Sequence, residues 1–309
     1  MNPTGPAAGW LEPLFADLGP ALGLDPALGP EAALRLFLLA LARWLPVVVL
    51  SPVLGGKLVP AAPKMALATL FAVVTLPHLG ATVAAPSIAG AAAGAVAVPA
   101  GLGFWTLLLK EAFVGLVLGF GSSLIFWGAD IAGRFLDNVR GTTTANLMIP
   151  HERVQSSLLG DFYFQLFVVL YVAAGGHLVL LGAVFDSYRL VPALSVGLGA
   201  SVATSFIAAT GGLLSVAVRL VAPALVVLIA MDVMLGVANR FAPQLNVFFL
   251  SMSLKSSVGA LVAALGLYVV LAASGDLFRD HHRWLADTTS RLSPDAVMPS
   301  SPSIHPRTP

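Results

Sequence analysis

Long stretches of uncharged, apolar residues dominate the chain and set its organisation. Five runs lack aspartate, glutamate, lysine and arginine: residues 65–109, 112–129, 162–185, 190–218 and 256–275. Two more apolar segments, 32–54 and 220–238, carry isolated charges, and the sequence Pro77-His78-Leu79-Gly80 predicts a turn in the longest run. About 20 apolar residues cross a bilayer as a helix, and the runs lack the alternating polar positions of membrane strands. The pattern therefore predicts an all-α integral membrane protein with seven or eight hydrophobic helices.

Composition and charge narrow the class further. The 309 residues are 58% hydrophobic and only 10% charged, whereas about 25% of the residues in an ordinary soluble domain are charged. A net charge of +1 provides no basic surface for nucleic acid. The absence of cysteine excludes disulfide scaffolds and thiolate metal sites. A soluble globular domain is excluded, and we expect no nucleic-acid partner, no metal and no cofactor.

The distribution of polar residues divides the chain into three parts. Residues 1–30 form a Pro/Gly-rich N-terminal tail, and residues 31–275 form the hydrophobic helical domain. Inside that domain, residues 130–161 are the only long polar interruption. Composition changes abruptly after Gly275, so we expect residues 276–309 to be a hydrophilic tail that is disordered at its end.

Several charges lie within or beside the apolar segments, where an ionisable side chain is costly. They are Arg35, Arg43, Lys57, Lys64, Lys110, Glu111, Asp232 and Lys255. Either these side chains reach the membrane interface, or their helices pack against partner subunits or a water-filled conduit. Gly115 and Gly119 are spaced four apart on one helix face, which permits close helix approach. We assign Gly115, Gly119, Pro52 and Gly55 to helix packing.

The polar interruption begins as a helix and then changes character. The spacing of apolar residues after Asp130 predicts that the preceding helix continues to about Arg140, where Gly141 ends it. The following segment is a poor helix because it is rich in threonine and ends in proline. Its residues are Gly141, Thr142, Thr143, Thr144, Ala145, Asn146, Leu147, Met148, Ile149 and Pro150. It is either an ordinary solvent loop or a re-entrant loop that occludes a pore.

Three motifs resemble the FliR/SctT family of type III secretion export gates. Ser51-Pro52-Val53-Leu54-Gly55 is similar to the family's N-terminal signature. The block Asn239-Arg240-Phe241-Ala242-Pro243-Gln244-Leu245-Asn246-Val247-Phe248 is the most specific match. The sequence Leu136-Asp137-Asn138-Val139-Arg140-Gly141 resembles the injectisome (SctT) branch more than the flagellar branch. The resemblance covers roughly residues 31–275.

The resemblance implies a multi-pass subunit of the bacterial inner membrane, surrounded by membrane lipid. Such a subunit packs as tilted helical hairpins with SctR- and SctS-like subunits, contacts an SctU-like switch protein, and lines a pore for unfolded secreted proteins. By the same resemblance, the segment 141–150 would help to plug the closed pore. A polar subunit-packing motif would comprise Asn239, Arg240, Pro243, Gln244, Asn246 and Lys255.

Two other classes of protein are weighed against the export gate. The usual motifs of hydrolases, metalloproteases and nucleotide-binding enzymes are missing, so we expect no enzyme. His177, inside a long apolar run, is either a proton relay or a hydrogen-bonded packing residue. A secondary transporter of a small solute is the remaining alternative, with Asp232 and Arg219 as its candidate coupling site.

Overall fold

The computed structural model describes residues 19–20, 29–56, 59–84, 98–139, 157–195, 197, 202–241 and 247–292. Its helices are α1 (Pro30–Leu50), α2 (Pro52–Gly55), α3 (Ala61–Ala84), α4 (Leu102–Val139), α5 (Leu158–Ala173), α6 (Gly176–Leu190), α7 (Val202–Phe241) and α8 (Val247–Leu292). No strand occurs within these ranges. The predicted all-α class is confirmed.

Fewer helices reach membrane-spanning length than the sequence pattern predicts. Among the described residues, the candidates are Pro30–Leu50, Ala61–Ala81, Leu102–Val139 and Thr210–Phe241. Helices α5 and α6, bent by 73° at a short break, make a fifth if they are counted as one span. The number seven or eight is not confirmed, because α7 continues through Arg219 and joins two runs that the sequence separates.

The predicted turn at Pro77 is wrong, since α3 continues through this residue to Ala84. A proline inside a helix removes one backbone donor but does not have to end the helix where neighbouring groups satisfy the freed carbonyl.

Helix α3 packs against α1 through Phe71 and Thr75, which both contact Trp44 of α1. Trp44 Nε1 donates to Thr75 Oγ1 at 2.9 Å, and its ring stacks on Phe71.

Helix α4 runs through the centre of the molecule and contributes to two apolar cores. Its first half packs with α1, α3 and α6, where Val114, Val117 and Leu118 are fully buried. Its second half packs with α5, α7 and α8 around Phe126 and Ala129. One long helix thus connects both halves of the chain, and its position determines where the charged and polar groups meet.

Helix α8 continues past the predicted boundary at residue 275 and ends at Leu292. The hydrophilic segment is amphipathic: Leu277, Phe278, Leu285 and Leu292 are buried, while Arg279 and Arg283 are largely exposed. The first part of the predicted C-terminal tail is therefore a packed helix. The predicted disordered end, residues 293–309, lies outside the described residues.

Candidate functional site

A buried ion pair joins α1 to α4. Arg43 Nε donates to Glu111 Oε2 at 2.6 Å, and Arg43 Nη2 donates to Glu111 Oε1 at 2.8 Å. Both side chains are fully buried. The guanidinium also donates to Ser187 Oγ at 3.0 Å and to the Val191 carbonyl oxygen at 2.9 Å, and it lies 3.9 Å from the centre of the Tyr188 ring. Arg43 therefore holds the end of α6 against α1 and α4.

Lys110 adds a second cation to the same cluster. Its Nζ lies 2.7 Å from Glu111 Oε1 and donates to the carbonyl oxygens of Pro192, Ala193 and Ser195 at 2.8, 3.1 and 2.8 Å. Two cations thus share one carboxylate, and backbone carbonyls after α6 supply the remaining acceptors. Such satisfaction is what a buried charge requires in order to remain charged. The sequence marks each charge, but nothing in it pairs residues so far apart.

Glycines allow α4 to approach α1 closely. A Cβ atom added at Gly115 would collide with the Arg43 carbonyl oxygen, and one at Gly119 would lie 2.7 Å from the Pro46 carbonyl oxygen. A Cβ atom added at Gly55, at the end of α2, would likewise collide with the Val48 carbonyl oxygen of α1. Three of the four residues assigned to helix packing are thus at close backbone contacts, and the fourth begins α2 as a buried proline.

A polar clamp joins the end of α4 to the start of α5. The buried Asp137 accepts from Ser157 Oγ at 2.7 Å and from the Leu159 backbone N–H at 3.0 Å. Ser157 in turn accepts from the Gly160 backbone N–H at 2.9 Å as the N-cap of α5. A carboxylate at a helix N-terminus satisfies free N–H groups and complements the helix dipole. The clamp therefore holds both flanks of segment 140–156 side by side.

Only some of the other residues at the predicted sites are among those that the structure describes. Segment 141–150 and Pro243, Gln244 and Asn246 lie outside the described residues. Asn239 and Arg240 lie exposed in the last turn of α7. Lys255 Nζ lies 2.6 Å from Asp232 Oδ1, and this ion pair joins α8 to α7.

The proposed coupling pair of a transporter is not assembled. Asp232 is paired with Lys255, whereas Arg219 lies more than three helical turns away on α7 and lines a separate cavity. His177 Nδ1 is buried without a hydrogen-bond partner in the described part of the chain. Within the same ranges, no group of three or more His, Cys, Asp or Glu side chains is arranged to hold a metal ion.

Comparison with known proteins gives a consistent result. Residues 34–281 match the family model described as bacterial export proteins, family 1. The chain is 31% identical over 182 residues to the surface presentation of antigens protein SpaR of Shigella sonnei, covering 59% of this chain and 70% of that protein. It is 34% identical over 163 residues to the Yop proteins translocation protein T of Yersinia pestis, covering 51% and 62%.

A flagellar relative matches at lower identity. The flagellar biosynthetic protein FliR of Bacillus subtilis is 28% identical over 178 residues, covering 57% of this chain and 69% of that protein. The order of identities favours the injectisome branch, as the motif around Asp137 predicts. Because the family model matches most of the chain, the protein belongs to the bacterial export proteins, family 1.

Proposed function

We propose that this protein is a structural subunit of a type III secretion export gate in the bacterial inner membrane. Support comes from the family match, from relatives named for protein translocation and flagellar biosynthesis, and from the apolar helices of spanning length. It assembles with SctR- and SctS-like subunits, contacts an SctU-like switch protein, and passes unfolded polypeptide without a catalytic step of its own.

The Asp137 clamp carries the mechanistic part of the proposal. It holds residues 137 and 157–159 together, so the described residues on the two sides of segment 140–156 are fixed next to each other. With these flanks held together, α4 and α5 can stay in position while the pore opens. In this proposal, which follows the resemblance to the family, residues 141–150 plug the closed pore and an arriving polypeptide displaces them.

The buried charge cluster supplies the rigid frame that such a plug requires. Arg43, Glu111 and Lys110 connect α1, α4 and the chain after α6 through five hydrogen bonds shorter than 3.0 Å. Removing Glu111 would leave two buried cations without their carboxylate, so these contacts favour a joint movement of the three elements. Opening then involves the clamped segment and leaves this frame unchanged.

Ion leakage through the assembled gate tests the plug. Deleting residues 143–148 shortens the segment without touching the clamp, and it should raise small-ion conductance while the gate still assembles. A matched deletion of residues 298–303, near the C-terminus, serves as the control and should leave conductance unchanged. Unchanged leakage in a correctly assembled 143–148 deletion would remove the plug assignment.

A further inference from the structure

The C-terminal part of α8, residues 276–292, lies as a strap across both apolar cores. Phe278, near its start, is buried in the core formed with α5, α7 and the second half of α4. Leu292, at its end, is fully buried in the core of α1, α3 and α6. The opposite face is charged, and Arg279 and Arg283 are largely exposed there. The strap is therefore attached to the rest of the protein through one face only.

Aromatic contacts seat the strap on α4 and α5. Tyr171 of α5 makes T-shaped contacts with His281 and His282, with ring centroids 5.8 and 5.5 Å apart. Trp284 packs directly on Gly121 of α4, where an added Cβ atom would collide with the indole ring. The ring of His281 also stacks on that of Trp284, at 6.3 Å and 20°. His281 thus lies at the centre of the contact between the strap and the helical body.

The docked position of His281 suits only the neutral imidazole. Its side chain is 8% exposed, and Nε2 is buried without a hydrogen-bond partner among the described residues. Both ring nitrogens of an imidazolium are donors, so protonation would add a charge and leave this N–H unsatisfied. Burial, with a smaller contribution from His282, accordingly lowers the pKa of His281 to about 3. The docked strap excludes a proton that a free histidine binds below about pH 6.5.

The charged groups around the two histidines do not compensate for a buried imidazolium. Those that line the cavities beside the pair are Arg219 of α7, Asp280 of α8, and Asp186 and Arg189 of α6. Asp280 already lies 3.7 Å from Arg283, and Asp186 lies 3.8 Å from Arg189. In the same region α4 contributes apolar side chains and α5 contributes the ring of Tyr171. Protonation of His281 is therefore favoured only when the strap leaves and the ring is hydrated.

We propose that residues 276–292 form an acid-sensitive strap, which leaves α4, α5 and α6 as one unit when His281 takes up a proton. Gly275, directly before the strap, has open space around it and is a weak helix former, so it can serve as the hinge. The buried ion pair between α1 and α4 and the clamp between α4 and α5 are formed by residues outside the strap. The helical body keeps these contacts when the strap leaves.

Hydrogen exchange of the full chain in mild detergent, followed by mass spectrometry, tests the strap. Exchange rates are corrected for the intrinsic effect of pH and expressed as protection factors. Between pH 7.5 and pH 5.0, the protection of residues 277–290 should fall roughly 30-fold, because the released histidine has a pKa of about 6.5 and the docked one a pKa of about 3. At pH 5.0 the strap should be less protected than residues 36–48 of α1, because it opens while α1 stays folded.

Either of two results in the wild type would overturn the proposal. Unchanged protection of residues 277–290 would mean that opening is not linked to a proton. Equal protection of the strap and of residues 36–48 at pH 5.0 would mean that the strap opens only when the whole protein unfolds.

Two pairs of variants assign the effect to residues. His281→Gln should lose most of the pH-dependent fall, whereas His78→Gln, at an exposed position of α3, should keep it. Gly121→Ala, which displaces Trp284, should lower the protection of the strap at pH 7.5 by roughly fivefold or more. Gly182→Ala, with open space around it, should leave that protection unchanged. A full fall in His281→Gln, or normal protection in Gly121→Ala, would contradict the strap.

Thiol labelling gives a readout that does not depend on these variants. The chain contains no cysteine, so a single Leu285→Cys reports opening of the strap, and Leu39→Cys on α1, at an equally buried position, is its control. Labelling rates are divided by the rate of the same thiol in denaturant at the same pH. At pH 5.0 the strap thiol should react faster than the α1 thiol, and equal rates would contradict local release.

Discussion

Replacing Glu111 by glutamine should destabilise the protein severely. The change removes the one carboxylate of the buried cluster and leaves Arg43 and Lys110, which are 0% and 4% exposed at their side chains, as unbalanced cations. Three short contacts of 2.6, 2.8 and 2.7 Å lose their charge assistance together. Breaking a buried ion pair from one side costs about 3–5 kcal/mol. We expect the free energy of unfolding to fall by about that amount.

A double-mutant cycle separates this effect from a general loss of packing. Arg43→Met leaves Glu111 paired with Lys110, so its charge remains balanced. In the double variant the two defects share one broken pair, and its destabilisation should fall short of the sum of the single changes by about 1–3 kcal/mol. Glu31→Gln is the matched control, because Glu31 pairs with Arg35 at 3.5 Å on the exposed side of α1. It should change stability by less than about 0.5 kcal/mol.

Unfolding in a fixed mild detergent, followed by circular dichroism against denaturant, measures the stability of the wild type and of the four variants. Retained helicity at low denaturant shows that each variant folds before it is compared. A Glu111→Gln variant within about 1 kcal/mol of the wild type would refute the reasoning. So would strictly additive single changes, because they would mean that the cluster's charges do not depend on one another.

Three further changes have defined outcomes. Gly115→Ala should lower the free energy of unfolding by about 1–3 kcal/mol because the added methyl group meets the backbone of α1. The control Gly182→Ala, with open space around it, should be neutral or stabilising. Equal effects of the two changes would contradict the close contact. Burial lowers the pKa of His281 to about 3, so between about pH 3 and 6.5 the folded state binds fewer protons than the unfolded state. The free energy of unfolding should therefore fall as the pH drops below about 6.5, by at most about 1.4 kcal/mol per pH unit. His281→Gln should flatten this dependence on pH, whereas His78→Gln, at an exposed position, should not. The same slope in both variants would mean that another group causes the pH dependence. Asp137→Ala removes two hydrogen bonds, so it should lower the free energy of unfolding by about 1–3 kcal/mol and raise ion leakage through the assembled gate. A variant with normal stability and normal leakage would exclude the clamp.

The sequence predicts the helical class and the family but not the contacts within the core. Apolar runs and the Pro-Gln-Leu-Asn-Val block are local features, and the family match confirms the resemblance they carry. Arg43 and Glu111 are 68 residues apart, and no periodicity connects residues on separate helices at that distance. Each charge stands out because it lies in or beside an apolar segment, whereas its partner depends on how α1 packs on α4.

Helix ends show the same division between local and tertiary causes. Helix α4 is described as far as Val139, next to the end at about Arg140 that Gly141 suggests. In contrast, α3 passes through Pro77 and α7 passes through Arg219, although proline and an isolated charge both suggest a break. A proline does not have to end a helix, because groups on neighbouring helices can satisfy the carbonyl that it frees. The amino-acid sequence alone does not show which groups of other helices lie next to a given residue.

Co-purification of the full chain with SctR- and SctS-like subunits, analysed by native mass spectrometry in mild detergent, tests the central claim most directly. The account predicts that one copy enters a hetero-oligomer of defined mass. It also predicts that the chain does not take up a small solute when it is reconstituted alone. A stable monomer or homodimer that ignores those subunits, together with solute uptake by the chain alone, would contradict the export-gate assignment and favour a transporter.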